Sequence, residues 1–375
     1  MLATIKKSIF AVALGCLLVP AMGAAATLEE IDKRLKKLEG EVGLAHEESD
    51  DIANRLKNSM SVSGYADTEY VTTNVPGDAG FRIHHLSMFL KKQVTDDLHF
   101  FSETEWEDAP YVDGSNSVMS GKVFVEALNF DYQWHHDISI RVGRFFTPAG
   151  IWSVDHYPPF VMTQMRPQHI RAIFPQLVDG AAISGLHAVG SAFVSYDLYV
   201  GNGETPDFNG RNDYNSTTAA GLRANVALPI AHQFDVGATF YHDKLPAVPT
   251  LLSEAKKDAY GAHAKMRQGA FGLQAEYADA KYQPTATPGT SYHKKGYYTQ
   301  LSYDINKWTL GYRYDFFNPD TSTVVSSGTK INSAIVNYHV NKNVVLKLEH
   351  HIAGVIDPAQ KDWYKNIVSI AVNLD

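Results

Sequence analysis

From Ser61 to the end of the chain the sequence is written in a period of two, and this limits the fold more than any other feature. Leu98, Phe100, Ser102, Thr104 and Trp106 alternate with His99, Phe101, Glu103, Glu105 and Glu107. Trp308, Leu310, Tyr312, Tyr314 and Phe316 alternate with Thr309, Gly311, Arg313 and Asp315. One face suits an apolar surrounding and the other suits water, as in any half-buried strand. Length separates the possible architectures. These segments run to about 10–13 residues, against about 5–6 for a soluble strand and about 9–11 for a membrane-spanning one. Sixteen can be counted, from 61–71 to 363–374. Their connections alternate between very short turns and longer loops at 72–80, 108–120, 148–176, 202–216, 243–256, 281–292, 318–328 and 355–362. An even strand number with short turns at one end and long loops at the other predicts an all-β transmembrane barrel. At sixteen strands it holds an aqueous channel rather than a packed core. The turns are expected near Thr95, His135-His136, His187-Ala188-Val189, Pro229-Ile230, Gln268-Gly269, Ile305-Asn306 and Asn341-Lys342-Asn343.

The first 58 residues read differently. Lys6 and Lys7 precede an apolar run from Ile9 to Val19, and Ala24-Ala25-Ala26 offers small residues for cleavage, so 1–26 is expected to be a secretory signal. The lone cysteine, Cys16, falls inside it, so Cys-ligated metal or haem is not expected. Without Lys6 and Lys7 the charge of −8 becomes −10, from 31 basic against 41 acidic residues, which argues against a nucleic-acid partner. Residues 27–58 carry a heptad. Leu28, Ile31, Leu35, Leu38 and Val42 occupy its a and d positions, predicting a coiled-coil helix that joins copies of the chain, most simply as a homotrimer. The barrel domain is then 59–375, embedded in outer-membrane lipid, with the helix in the periplasm beside the short turns.

The longest interruption is 148–176, which with Thr147 holds Pro148, Pro158, Pro159, Pro167 and Pro175 together with Trp152, Tyr157, Phe160 and Phe174. Proline fixes φ and aromatic rings need a surface to pack on, so this loop is expected to be ordered. Two placements are open: folded into the barrel as a constriction, or packed over the rim. RVGRFFTPAGIWSVDHYPP (141–159) and RPQHIRAIFPQLVDGAAISG (166–185) resemble the phosphate-selective porin O and P family and related trimeric outer-membrane channels with an N-terminal coiled coil. The resemblance implies a trimeric sixteen-stranded porin with its third loop inside the channel. The arginine ladder and lysine cluster of the phosphate-selective members have no counterpart here, and the chain ends on Asp375 rather than on an aromatic residue.

In a channel the inward-facing polar groups tune passage. The inward parity supplies Arg141, Arg223, Lys265, Arg267, Arg313, Lys347 and Lys365 against Glu103, Glu105, Glu107, Asp131, Asp197, Asp235, Glu276, Asp315 and Glu349. The loop is less balanced. Arg166 and Arg171 face only Asp155, and His156 and His169 can add charge at lower pH. Arg166 and Arg171 are therefore the leading constriction candidates, giving a weak preference for small anions among small hydrophilic solutes; anchoring to acidic wall residues is the alternative role. The doublets His84-His85, His135-His136 and His350-His351 suggest metal. Neighbouring strand residues point to opposite faces, however, so no metal site and no cofactor is expected. A barrel hydrolase would need a positioned nucleophile, and Ser153, Asp155 and His156 are merely close in sequence. The sleeve of an electron-transfer conduit would need a cytochrome partner, because the chain has no C-x-x-C-H. A porin accounts for more of the pattern than either.

Overall fold

The structure, a computed structural model, describes residues 36–37, 59–112, 118–204, 217–230, 233–246, 254–286, 290–321, 328–357 and 360–375, without the side chains of 109–112 and 118–120. The signal segment and the heptad positions Leu28, Ile31, Leu35, Leu38 and Val42 lie outside these residues.

Sixteen antiparallel strands close on themselves. In chain order they are β1 (Met60–Thr73), β2 (Gly80–Gln93), β3 (Leu98–Val112), β4 (Val118–His135), β5 (Ile138–Phe146), β6 (Leu177–Val189), β7 (Ala192–Gly201), β8 (Ala219–Leu228), β9 (Gln233–Leu245), β10 (Ala255–Gln268), β11 (Phe271–Pro284), β12 (Tyr292–Ile305), β13 (Trp308–Asn318), β14 (Thr329–His339), β15 (Val344–Val355) and β16 (Trp363–Asn373). Every strand pairs with its sequence neighbour, and β1 meets β16 from Tyr65↔Asn373 to Thr73↔Lys365. Closure leaves no edge with unpaired backbone groups, which is the condition for strands to stand in hydrocarbon. Among the described residues no helix is long and apolar enough to cross a membrane.

The alternation sets the wall's two faces. Leu86, Met88, Leu128, Phe130, Ile183 and Leu348 point outward and are exposed. Toward the short-turn end the outer face carries Tyr132, Trp134, Tyr303 and Trp308; toward the long-loop end it carries Tyr70, Phe81, Tyr260 and Tyr364. Two aromatic belts flanking an aliphatic band is the distribution expected at two membrane interfaces. The turns fall close to their expected places, with one shift. His187-Ala188-Val189 belong to β6, and the reversal is made by 190–191, where Gly190 takes φ +63. Only glycine enters that left-handed region without a steric cost.

Among the register breaks, two bear on the interior. Asp67 pairs with His85 and Thr68 with Ile83, so His84 is an extra residue in β2. Glu103 pairs with Ala127 and Thr104 with Val125, so Glu126 is an extra residue in β4. A bulge turns the parity of a strand locally and re-aims a side chain. Here both re-aimed residues reach the inner face.

Candidate functional site

The segment between β5 and β6 enters at Thr147, whose backbone N–H donates to Gln176 O at 3.0 Å where it leaves. Between these ends the chain crosses the interior and is bonded to inward-facing side chains of strands on opposite sides of the barrel. The first arm is held by Glu276 on β11, whose carboxylate accepts from the backbone N–H of Ile151 (2.9 Å) and Trp152 (3.0 Å) and from the Tyr298 hydroxyl (2.7 Å). Arg223 Nε donates to Gly150 O at 3.1 Å. Gly150 sits at φ +53, and a Cβ there would lie 1.8 Å from Glu276 Oε2, so the grip requires glycine.

The second arm descends toward the short-turn end. Lys347, the fourth residue of β15, donates through Nζ to Pro158 O (2.6 Å) and Val161 O (2.8 Å). Asn337 Nδ2 donates to Met162 O at 3.0 Å. Glu349 accepts from Gln164 N at 2.6 Å, and Arg313 NH2 donates to Met165 O at 2.8 Å. Each is a hydrogen bond with a charged or amide partner in a place shielded from water, where such bonds are stronger than neutral, exposed ones. Beneath this arm a cavity of about 360 Å³ opens between Trp152, Asp155 and Met162 of the loop and Lys265, Arg267 and Asp304 of the wall.

The third arm includes one helical turn, α1 (Ile170–Ile173). Phe174 and Ile173 pack with Phe145, Tyr199, Tyr241 and Ala278 in the main apolar cluster. His169 lies against Gly296 and faces the Tyr298 ring at 5.8 Å. Gln176 Nε2 donates to Glu126 Oε1 at 2.7 Å.

The expected site residues therefore divide into groups. Arg313, Glu103 and Glu105 do face inward, yet they are fully buried, so they do not line a water path. Arg313 is tied to Asp315, Thr163 and Met165. Glu103 accepts from Ser87 (2.7 Å) and Tyr157 (3.3 Å), and Glu105 accepts from Tyr65 (2.5 Å). Arg141 forms a bidentate pair with Asp131, Arg223 leans between Gly150 and Asp197, and Arg267 pairs with Asp304. Lys265 and Asp155 line the cavity.

His156 and His169 are buried, which corrects the expectation that they charge at mildly acidic pH. Burial pushes the His156 imidazole well below its usual value, with Arg166, Arg171 and His85 acting in the same direction. Burial, with Arg313 nearby, holds His169 down to about 3. Both are neutral at working pH.

Arg166 and Arg171 stand apart. They border a small void with Trp152, Ser153, His156 and Gln176. Among the described residues neither guanidinium has an ion-pair partner within salt-bridge distance. Arg171 is open to water yet crowded by protein, and this partial desolvation, with Arg166 beside it, lowers it to about 10. Glu105 and Glu126 lie across from them on the wall, close enough for electrostatic coupling to Arg166. Glu126 was absent from the expected inward set because it stands on the bulge; only a break in the Ala127, Asn129, Asp131 alternation could have signalled it.

This architecture has known counterparts. An uncharacterized protein of Aquifex aeolicus is 30% identical over 153 residues, which is 40% of this chain and 33% of that protein. The chain thus matches about a third of that relative's length. Among solved structures, an anion-selective porin from Comamonas acidovorans is similar with a TM-score of 0.58 at 13% identity, covering 84% of this chain and 99% of the porin. OmpT of Vibrio cholerae in its trimer form gives 0.59 at 12% identity over 84% and 99%. OmpF of Salmonella typhi gives 0.56 at 16% identity over 85% and 98%. At such identities the likeness concerns the fold. The family model of Gram-negative porins matches residues 140–351, from β5 into β15 and through the whole inward loop. The barrel is therefore an outer-membrane channel, and the chain belongs to the Gram-negative porin family.

Proposed function

We propose that this channel passes small hydrophilic solutes by diffusion, with a weak preference for small anions, and that the segment Thr147–Gln176 forms its constriction. The observation that carries this reading is the pair of guanidiniums, Arg166 and Arg171, held on the loop without an ion-pair partner among the described residues. Fixed charge between low-dielectric walls focuses the field and concentrates counter-ions. Glu105 and Glu126 oppose it from the wall, so the preference is weak and the field runs across the channel. No ladder of arginines leads to the site, so the reading stops at small anions as a class and does not extend to phosphate. The likeness to an anion-selective porin agrees with the sign, and the likeness to a trimeric porin agrees with a homotrimer whose N-terminal helices associate in the periplasm. The test is a planar bilayer with a salt gradient. Arg166→Glu combined with Arg171→Glu moves the reversal potential toward cations. If conductance and reversal potential both stay at wild-type values in a correctly folded barrel, the loop arginines do not line the narrowest section and the proposal fails.

A further inference from the structure

We infer that the inner wall carries a binding site for a zinc-class divalent cation, built from Asp67 on β1 and His84 and His85 on β2, whose ligand atoms all lie within 4.8 Å of one another.

Ordinary strand parity would send the two imidazoles to opposite faces. The bulge at His84 cancels that. Both rings turn to Asp67, with His85 Nδ1 2.8 Å from Oδ1 and His84 Nδ1 3.4 Å from Oδ2, and the ring centroids are 3.7 Å apart. Glu69 Oε2 lies 3.6 Å from the same His84 nitrogen. Zinc binds imidazole nitrogen at about 2.0–2.1 Å and carboxylate oxygen at about 2.0–2.2 Å in a tetrahedron, whose edges are then roughly 3.3–3.6 Å. The His84–Asp67 separation is an edge of that size and too long for a good hydrogen bond, while the 2.8 Å His85–Asp67 contact is a hydrogen bond that the ion would replace.

A second observation points the same way. His84 Nδ1 and Glu69 Oε2 are buried polar atoms with no hydrogen-bond partner, and they face one another. Burying a ring nitrogen unpaired is costly, and a cation bound to His84 would satisfy it, with the Glu69 carboxylate beside it balancing charge from outside the ligand set. The other atoms of the set are oriented as supporting contacts orient metal ligands. Arg82 Nε donates to Glu69 Oε1 at 2.5 Å, Gln164 Nε2 of the inward loop donates to Asp67 Oδ2 at 3.2 Å, and Glu107 lies 3.8 Å from His85 Nε2. His84 keeps about a quarter of its side chain open, at 23%, which leaves a path from the lumen. Two imidazoles with a carboxylate favour zinc, nickel or copper over calcium or magnesium, which prefer oxygen alone. Because Gln164 holds Asp67, the ion would also sit against the loop.

The test uses the full-length protein in detergent, stripped with chelator and titrated calorimetrically with zinc chloride. One zinc per chain is expected. Affinity should fall at least tenfold in His84→Ala and in His85→Ala, and should stay within twofold in a double His135→Ala, His136→Ala variant, which removes an exposed histidine cluster at a turn. Wild-type protein without saturable zinc binding overturns the proposal. So does binding that survives His84→Ala together with His85→Ala, or that disappears with the turn variant. Zinc-edge X-ray absorption on wild-type protein needs no variant to fold. A first shell with two imidazoles and carboxylate oxygen is expected, and a shell of oxygen alone refutes the site.

Discussion

The grip of Glu276 on the loop can be broken without touching the barrel wall, through Gly150. Alanine at 150 would place its Cβ 1.8 Å from Glu276 Oε2, at a backbone with φ +53. The side chain of Glu276 would have to withdraw, and the two backbone N–H groups of Ile151 and Trp152 would lose a charged acceptor. Each hydrogen bond to a charged group is worth about 1.5–3 kcal/mol, so the pair contributes roughly 3–6 kcal/mol. The left-handed conformation costs a non-glycine residue about 1–2 kcal/mol more. Taking the low end, about 4 kcal/mol raises the population of a released first arm on the order of a thousandfold. The sixteen-strand ring is held by its own ladders, so the thermal midpoint of the barrel should barely move. The reporter is a thiol. Cys16 is the only cysteine in the sequence and lies in the expected signal, so Ser153→Cys introduces a single reactive group beside the arm. In the Gly150→Ala background a small charged thiol reagent should label Cys at 153 at least a hundredfold faster, and single-channel current should become noisier. Glu276→Gln, which keeps the shape and one acceptor oxygen, should fall between the two. Equal labelling rates in the glycine and alanine backgrounds would refute the idea that this carboxylate fastens the loop.

Two further outcomes follow from other parts of the chain. His169 has its folded value lowered to about 3 by burial and then by Arg313, and His156 is lowered well below its usual value by burial and then by Arg166, Arg171 and His85. A released loop would take up these protons near the ordinary histidine value of about 6.5, so the packed loop is fully favoured above that pH and loses stability as pH falls toward 3. Labelling of the Ser153→Cys reporter, divided at each pH by the labelling rate of the denatured chain to remove the loss of thiolate, should therefore quicken between pH 6.5 and 4; a flat ratio would show that neither ring is buried neutral. Leu35→Asp with Leu38→Asp should weaken self-association of the full chain in detergent, measured by sedimentation, while the barrel stays heat-modifiable; an equally stable trimer would assign assembly to the barrel walls.

The wall was legible because its signal repeats. Sixteen long alternating segments fix the strand number, the faces and the alternation of short and long connections, and in each case the lipid side and the lumen side need different chemistry. The loop was legible as ordered, since five prolines and four aromatic residues have no reason to gather in a free coil, but its partners were not. Glu276, Lys347 and Glu349 looked like channel charges by parity, and parity was right about direction. It says nothing of whether water or protein backbone waits at the other end. A loop of thirty residues crossing a barrel has many backbone N–H and C=O groups with no ladder to join, and each must find a partner when water is excluded. The inward wall charges are those partners: Glu276 takes two N–H groups, Glu349 two more, and Lys347 two carbonyls. An interior charge in such a barrel is thus a loop fastening before it is a selectivity element, and the residues left to act on ions are those the loop does not use. That criterion sets Arg166 and Arg171, which the sequence offered as loop candidates, apart from Arg313, which it offered by strand parity. The bulges at His84 and Glu126 escaped the period-two reading for another reason. A register break adds one residue and reverses the parity beyond it: in β2 Phe81 and Ile83 face out before the break and Leu86 and Met88 after it, so a parity taken from one half of a strand misplaces the other half.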